Sequence, residues 1–280
     1  MPNTKGPLRL VRRRGGFLIE REEIFMIRVT VWNENIQDRM EEIPGYEEVI
    51  KVHPNGIHNT IADILRTDEE IVVRTAVFGM PECGLSEEVL NDTDVLIWWS
   101  HVIHDRVPDE IAERVHNHVL RGMGFIPLHS SHLCKPLKLL LGTSCTLSWR
   151  DGDVCRVWCT SPGHPIAEGV PPYIELDDEE MYGEFFDIPN PESQVFISWF
   201  SGGEVFRSGN CWTRGLGRIF YFQPGHETNT AYHNPHIRRI IQNAVHWCAP
   251  TARRETPDCP HVTETPEMKR LARTCACTAE

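Results

Sequence analysis

The feature that most restricts the fold is an alternation of strand-like and helix-like segments after Met26. Four short runs rich in β-branched and aromatic residues predict buried strands: IRVTVW (27–32), IVVRTAVF (71–78), DVLIWWS (94–100) and FIPLH (125–129). The segments between them carry helical periodicity or helix-start signals: GIHNTIADILR (56–66), SEEVLNDTD (86–94) and PDEIAERVHNHVLRG (108–122). Such an alternation is typical of βαβ units, so it predicts a parallel sheet covered by helices.

The pattern changes after residue 150. Four further runs predict strands with little helix between them: VCRVWC (154–159), PYIELD (172–177), VFISWF (195–200) and RIFYFQP (218–224). An amphipathic helix, IRRIIQNAVHWC (237–248), then closes the pattern. We therefore assign residues 26–250 to one α/β domain within the 280-residue chain.

Both ends differ from this domain in composition. Residues 1–25 contain a basic cluster but no strong periodicity, and Met26 directly precedes the first strand. We expect residues 1–25 to be an extension, non-native or disordered, with translation starting at Met26. Residues 251–280 are polar and contain several prolines, which predicts a flexible tail.

Composition excludes several classes of function. The formal net charge of −12, without a basic stripe, argues against a nucleic-acid partner. No apolar run approaches the ~20 residues of a membrane helix, and no secretory signal is present, so we expect a cytoplasmic protein. The ten cysteines are then expected to be mostly small core residues. Because GxGxxG, P-loop and GxSxG motifs are missing, we expect neither a nicotinamide nor a nucleotide cofactor, and no ordinary serine hydrolase.

Histidines follow the predicted strands at several points. The members of this set are His58, His101, His104, His129, His132, His226 and His233. The carboxyl ends of parallel strands meet at one edge of a sheet, where open α/β folds bind their ligands. Neutral imidazoles gathered there suit a divalent metal such as zinc, or a proton-transfer site.

Carboxylates and tryptophans are candidates to complete such a site. Most of the run ELDDEEMYGEFFDIP (175–189) is expected to be a solvated loop, from which Glu180 and Glu184 point inward. Glu227, beside His226, is suited to acid–base work or to orienting an imidazole. Trp98, at the end of the third strand, is a candidate to stack on a sugar face, although tryptophans at such positions are more often core residues.

Several segments, taken in order, resemble the ThuA-like family of trehalose utilisation proteins. They are GIHNTIADIL, WWSHVIHDRVPDE, LHSSHLCKPLKLLLGTSCTLSWR, HPIAEGV, EEMYGEFFDIP and RIFYFQPGHETNTAYHNP. The resemblance implies an α/β flavodoxin-like fold, a three-layer sandwich of the class I glutamine amidotransferase type with a mostly parallel central sheet. His129 takes the place of the cysteine at that superfamily's elbow, and FQPGHE resembles its histidine–glutamate arm. Glutamine hydrolysis is therefore not expected, and the implied substrate is trehalose or a related disaccharide, including an oxidised keto form.

Our first hypothesis is an enzyme of disaccharide metabolism. Its expected metal ligands are His58, His101, His129 and His226; its catalytic groups His132, Glu180, Glu184 and Glu227; its substrate contacts Trp98, His104 and His233. The alternatives are a non-catalytic sugar-binding or regulatory protein and a hydrolase that uses Cys134 or Cys145. A homo-oligomer with an interface in the strand-rich region 195–210 is a further expectation.

Overall fold

A nine-stranded mixed sheet forms the centre of the molecule. The computed structural model describes residues 11–13, 16–18, 26–36, 46–256, 259 and 261–277. A separate antiparallel pair consists of β1 (Val11–Arg13) and β2 (Gly16–Leu18). The central sheet contains β3 (Ile27–Asn33), β4 (Ile71–Val77), β5 (Val95–Trp99), β6 (Gly124–Leu128), β7 (Ser148–Cys159), β8 (Tyr173–Gly183), β9 (Ser193–Phe200), β10 (Val205–Arg214) and β11 (Gly217–Phe222).

The strand order is β4-β3-β5-β6-β11-β10-β9-β7-β8. The first five of these strands are parallel to one another, and Trp32 of β3 pairs with Ala76 of β4 on one side and Trp98 of β5 on the other. All five residues of β5 are buried, as expected for a strand that is covered on both faces. The four strands predicted in the first half of the domain are therefore confirmed.

The expectation of a mostly parallel sheet is wrong. The strands β7, β8, β9 and β10 are antiparallel to their neighbours and longer than the parallel ones, reaching 12 residues in β7. The physical reason is the short connections in this half, because adjacent strands joined without a crossover helix run in opposite directions. The class of the fold is thus α/β with a large mixed sheet.

Helices cover the parallel half of the sheet. They are α1 (Tyr46–Val52), α2 (Ile57–Leu65), α3 (Glu87–Asn91), α4 (Asp109–Leu120), α5 (Lys135–Leu141) and α6 (Pro235–Cys248); a seventh helix, α7 (Pro266–Cys277), lies in the C-terminal region. Helix α2 packs beside α6, whereas α4 packs between α3 and α5. Local signals fix their ends: the Ser86 side chain caps α3, Asn234 caps α6, and Gly142 ends α5 with φ at +69°.

The terminal regions differ in part from expectation. Most of residues 1–25 lies outside the described residues, so their expected disorder is not addressed. In the C-terminal region, Arg253 donates hydrogen bonds to the backbone oxygen of Asn91 and to the carboxylate of Asp94, and α7 is a helix that the sequence analysis did not predict. Among the described residues, no helix combines the length and apolar character needed to cross a bilayer.

Candidate functional site

Three histidine rings meet at the carboxyl edge of the parallel strands. His101 follows β5, His129 follows β6, and His226 lies in the loop after β11. The centroid of the His226 ring is 5.3 Å from the centroids of both other rings, and the centroids of His101 and His129 are 6.0 Å apart. We call these three residues the histidine cluster.

His129 directly follows β6, at a sharp turn where a short 3₁₀ helix, His129–Leu133, begins. Its φ of +51° is uncommon for a residue with a side chain, and the hydroxyl of Tyr221 donates a hydrogen bond to its backbone oxygen at 2.9 Å. The ring is fully buried. Its Nδ1 lies 2.8 Å from the backbone oxygen of Gln223, and its Nε2 lies 2.9 Å from Oε2 of Glu180.

These contacts determine the protonation of His129. Because a carbonyl oxygen only accepts hydrogen bonds, Nδ1 must carry a proton. Burial lowers the pKa of His129, but the hydrogen bond and the charge of Glu180 outweigh burial and raise the pKa to about 9. The same pair holds the pKa of Glu180 below its usual value, against the effect of its burial. Without a metal, the two side chains form a buried ion pair at neutral pH.

His101 and His226 also use Nδ1 for a protein partner. Nδ1 of His101 is 2.7 Å from Oε1 of Glu227, and Nδ1 of His226 is 2.9 Å from the hydroxyl of Thr228. Burial raises the pKa of Glu227, but the hydrogen bond from His101 outweighs it and brings the pKa to about 2. Burial lowers the pKa of His101, but the hydrogen bond and the charge of Glu227 outweigh burial, so this pKa is raised. For His226, burial dominates and lowers the pKa.

Two buried carboxylates that the sequence analysis missed hold the loops of the cluster. Glu179 accepts backbone hydrogen bonds from Gly225 and His226 at 3.0 and 3.2 Å, and burial raises its pKa. Glu34 accepts backbone hydrogen bonds from Val102 at 2.9 Å and from Ile103 at 3.0 Å. Their signal in the sequence is weak, because each acts on a loop distant along the chain.

The cluster fits a divalent metal. Two groups of side chains have ligand atoms within 4.8 Å of one another: His101, His226 and Glu227, and His129, Glu180 and His226. Oε2 of Glu227 is buried and accepts no hydrogen bond, whereas Oε2 of Glu180 lies 2.9 Å from Nε2 of His129. In each ring of the cluster, Nδ1 has a protein partner, so Nε2 is the atom that would bind a metal, and in His129 the metal would replace the proton shared with Glu180. This arrangement is typical of metal-ligating histidines. Imidazole and carboxylate ligands of this kind suit zinc.

The structure places the other expected metal and catalytic residues as follows. His58 lies in the first turn of α2 and belongs to neither group, so its role as a ligand stays a prediction. The expected solvated loop at 175–189 is instead largely strand β8, with Glu180 buried at the cluster. Glu184 follows that strand and points outward, where it pairs with Arg207 at 2.9 Å.

His132 lies at a cavity beside the cluster. Its Nδ1 lies 2.6 Å from the backbone oxygen of Cys145, which fixes the proton on Nδ1 and leaves Nε2 as an acceptor. Burial lowers the pKa of His132 to about 3, so the ring is neutral at pH 7. As a neutral ring with an open Nε2, His132 is suited to accept a hydrogen bond from a substrate hydroxyl.

The expected substrate contacts require a correction. Trp98 is fully buried and stacks on Trp32 at 3.8 Å between ring centroids, so it is a core residue and does not reach a substrate. His104 is buried and contacts Ser100, and His233 is exposed, with its Nε2 3.0 Å from the backbone oxygen of Val52. Neither histidine lines the cavity beside the cluster.

The cysteine alternative is weakened by burial. Cys134 and Cys145 are both buried, and desolvation raises the pKa of both thiols. A thiol that stays protonated is a poor nucleophile. The turn after β6 itself carries the imidazole of His129.

The fold and the site together define an α/β protein with a mixed sheet and a buried histidine–carboxylate site at its carboxyl edge. The family model ThuA, described as trehalose utilisation, matches residues 28–248, and the chain belongs to this family. A comparison with curated proteins found no match.

Solved structures show the same fold at low sequence identity. A ThuA-like protein from Parabacteroides merdae is 14% identical with a TM-score of 0.61, and the match covers 86% of this chain and 95% of the other. A ThuA-like protein from Bacteroides uniformis is 13% identical with a TM-score of 0.59, with coverage of 86% and 99%. A cytoplasmic protein from Salmonella typhimurium is 13% identical with a TM-score of 0.53, with coverage of 80% and 100%.

Proposed function

We propose that this chain is a carbohydrate-processing enzyme that acts on trehalose, its keto form or a related disaccharide, with a divalent metal in the histidine cluster. The observation that carries the proposal is the convergence of three imidazoles and two carboxylates, in two groups of possible ligands that share His226 and whose ligand atoms lie within 4.8 Å of one another. Membership of the trehalose utilisation family supports the class of substrate. A structural neighbour described as a cytoplasmic protein supports the cytoplasm as the site of action.

His101, His129 and His226 would hold the metal through Nε2. Zinc is the favoured ion, because three histidines that leave one position open are typical of catalytic zinc sites. When bound, such a metal polarises a carbonyl or hydroxyl oxygen of the substrate. Glu227 orients His101 through the 2.7 Å contact to Nδ1.

Two groups at the cavity would handle the substrate. Glu180 lines the cavity and is ionised, because its hydrogen bond with His129 holds its pKa below the usual value against the effect of burial. It would therefore accept a proton from a sugar hydroxyl or from a carbon next to a carbonyl. His132 would accept a hydrogen bond from a second hydroxyl through Nε2.

Elemental analysis tests the metal. We expect about one zinc ion per chain in protein purified without chelators, and its loss in His226→Ala, since His226 belongs to both groups of candidate ligands. The control variant His236→Ala should retain the metal, because His236 is exposed on α6 and lies outside both groups. A metal-free wild type, or retention of the metal in His226→Ala, would contradict the proposed site.

Turnover separates an enzyme from a binding protein. Metal-loaded wild type should convert trehalose or keto-trehalose, and Glu180→Gln should lose at least 100-fold in rate, the lower end for a general base. If the sugar binds but is recovered unchanged after long incubation, the chain is a non-catalytic sugar-binding protein.

A further inference from the structure

A cavity of about 250 Å³ lies beside the histidine cluster. Glu180, Tyr182 and His132 form its inner wall, and Trp149 lies at its opening. Pockets that enclose a drug-sized ligand measure about 300–1,000 Å³, so this cavity suits a ligand smaller than a disaccharide. At this volume we expect one sugar ring of a disaccharide to lie inside the cavity and the second to lie at its opening.

Trp149 is positioned to contact that second ring. It lies on β7 directly opposite Tyr182 of β8 in the antiparallel register, so the two side chains share one face of the sheet. Tyr182 is buried and stacks on His129 at 5.1 Å between ring centroids, whereas Trp149 is 62% exposed. A row of aromatic side chains, His129, Tyr182 and Trp149, therefore leads from the cluster to the opening of the cavity.

The exposure of Trp149 distinguishes it from the other exposed tryptophans. Trp158 packs on Tyr173 at 4.8 Å between ring centroids, and the guanidinium of Arg156 covers Trp199 at 5.3 Å. Within the described part of the chain, no aromatic ring or guanidinium packs on Trp149. A large apolar side chain left uncovered at the opening of a cavity is typical of a binding surface.

We infer that Trp149 is the platform for the second ring of a disaccharide, and that it sets the preference of the site for a disaccharide over a monosaccharide. This inference rests on the proposed function. The apolar C–H face of a pyranose packs on an aromatic ring, while its hydroxyls remain in water, and an exposed indole offers such a face. The ring inside the cavity binds to Glu180 and His132, and only the outer ring depends on Trp149.

Calorimetric titration of metal-loaded protein with trehalose and with glucose tests the inference. Wild type should bind trehalose more tightly than glucose by about 3- to 10-fold, the contribution of one ring contact with an aromatic side chain. Trp149→Ala should bind both sugars with the glucose affinity of wild type, and Trp149→Phe should retain most of the difference. The matched variant Trp158→Ala, on the same strand, should behave as wild type.

The outcomes separate this inference from the proposed function. If wild type binds neither sugar, the carbohydrate proposal fails and the inference fails with it. If wild type prefers trehalose and Trp149→Ala retains that preference, the inference alone is overturned. It is also overturned if Trp149→Ala loses glucose and trehalose affinity equally.

A second measurement covers the case in which Trp149→Ala misfolds. Saturating trehalose should change the tryptophan emission of wild type, and this change should disappear in Trp149→Phe, because a bound ring shields the exposed indole. An emission change that persists in Trp149→Phe overturns the inference.

Discussion

Glu34 is a buried carboxylate that determines where the His101 loop lies. Its oxygens accept backbone hydrogen bonds from Val102 and Ile103, next to His101. In Glu34→Gln one oxygen becomes an amide nitrogen, which cannot accept these bonds. Since groups that position metal ligands typically contribute 10- to 100-fold to affinity, we expect the zinc affinity to fall by about that factor, as measured by chelator competition.

Glu192→Gln is the matched control for this substitution. Glu192 also accepts a backbone hydrogen bond, from Thr213 at 2.8 Å, but it lies at the start of the β9 region, away from the histidine cluster. Its substitution should leave zinc affinity unchanged. Equal affinities of wild type and Glu34→Gln would show that the loop keeps its position without Glu34.

Part of the site could be predicted residue by residue. His101, His129, His226 and Glu227 follow strand ends, and the carboxyl edge of a parallel sheet brings such positions together. Glu179 was not predicted, because its carboxylate receives hydrogen bonds from a loop more than forty residues later in the chain. Trp98 is buried, as its position on a central strand favours. The exposure of Trp149 at the cavity could not be predicted, because the sequence around it carries no signal for it.

At the scale of elements, the start of β6 lies against the end of α6. A Cβ atom added to Gly124 would lie 2.8 Å from the Cβ of Cys248, closer than real side chains approach, and its backbone N–H already binds the oxygen of Asp94. We therefore expect Gly124→Ala to destabilise the protein by about 1–3 kcal/mol in urea unfolding, the range for overpacking a core.

Gly163 offers the control for this prediction. A Cβ at Gly163 would meet no atom within 4 Å, so Gly163→Ala should change stability by less than about 0.5 kcal/mol. Both variants should keep the zinc content of wild type, because Gly124 is at the amino end of β6 and His129 follows its carboxyl end. A neutral Gly124→Ala would mean that α6 moves away without loss of packing.

The elements themselves show why sequence alone predicted the fold in part. Strand β5 is a continuous apolar run and helix α4 an amphipathic segment, and clear signals mark where each begins and ends. Both elements lie close to their predicted bounds. The expectation of a mostly parallel sheet failed in the second half of the domain, because a run such as VFISWF has the same pattern in parallel and antiparallel sheets. Strand β10 was missed because its glycine and polar residues interrupt the alternation.

For the whole molecule, acid stability depends on histidines that are buried in the neutral state. Burial lowers the pKa of His53 to about 4, that of His104 to about 4 and that of His132 to about 3. In the unfolded chain the same rings have pKa values of about 6.5. Between pH 6.5 and 4 these three rings therefore bind more protons in the unfolded state than in the folded state, and their contribution to stability falls as the pH falls.

His53 allows this effect to be measured away from the cavity. It is fully buried, with Nδ1 3.0 Å from the hydroxyl of Thr60. One proton taken up on unfolding lowers the free energy of unfolding by about 1.4 kcal/mol per pH unit. We expect this difference in urea unfolding at pH 7, 6 and 5. Below pH 6, the free energy of unfolding of His53→Gln should fall less steeply than that of wild type, by about 1.4 kcal/mol per pH unit. The control His236→Gln, at an exposed position, should follow wild type. Parallel curves for wild type and His53→Gln would mean that His53 binds its proton equally well in the folded and unfolded states.

Glu227 does not disturb this pH range, because its lowered pKa contributes stability that is lost only below the unfolded value of about 4.3.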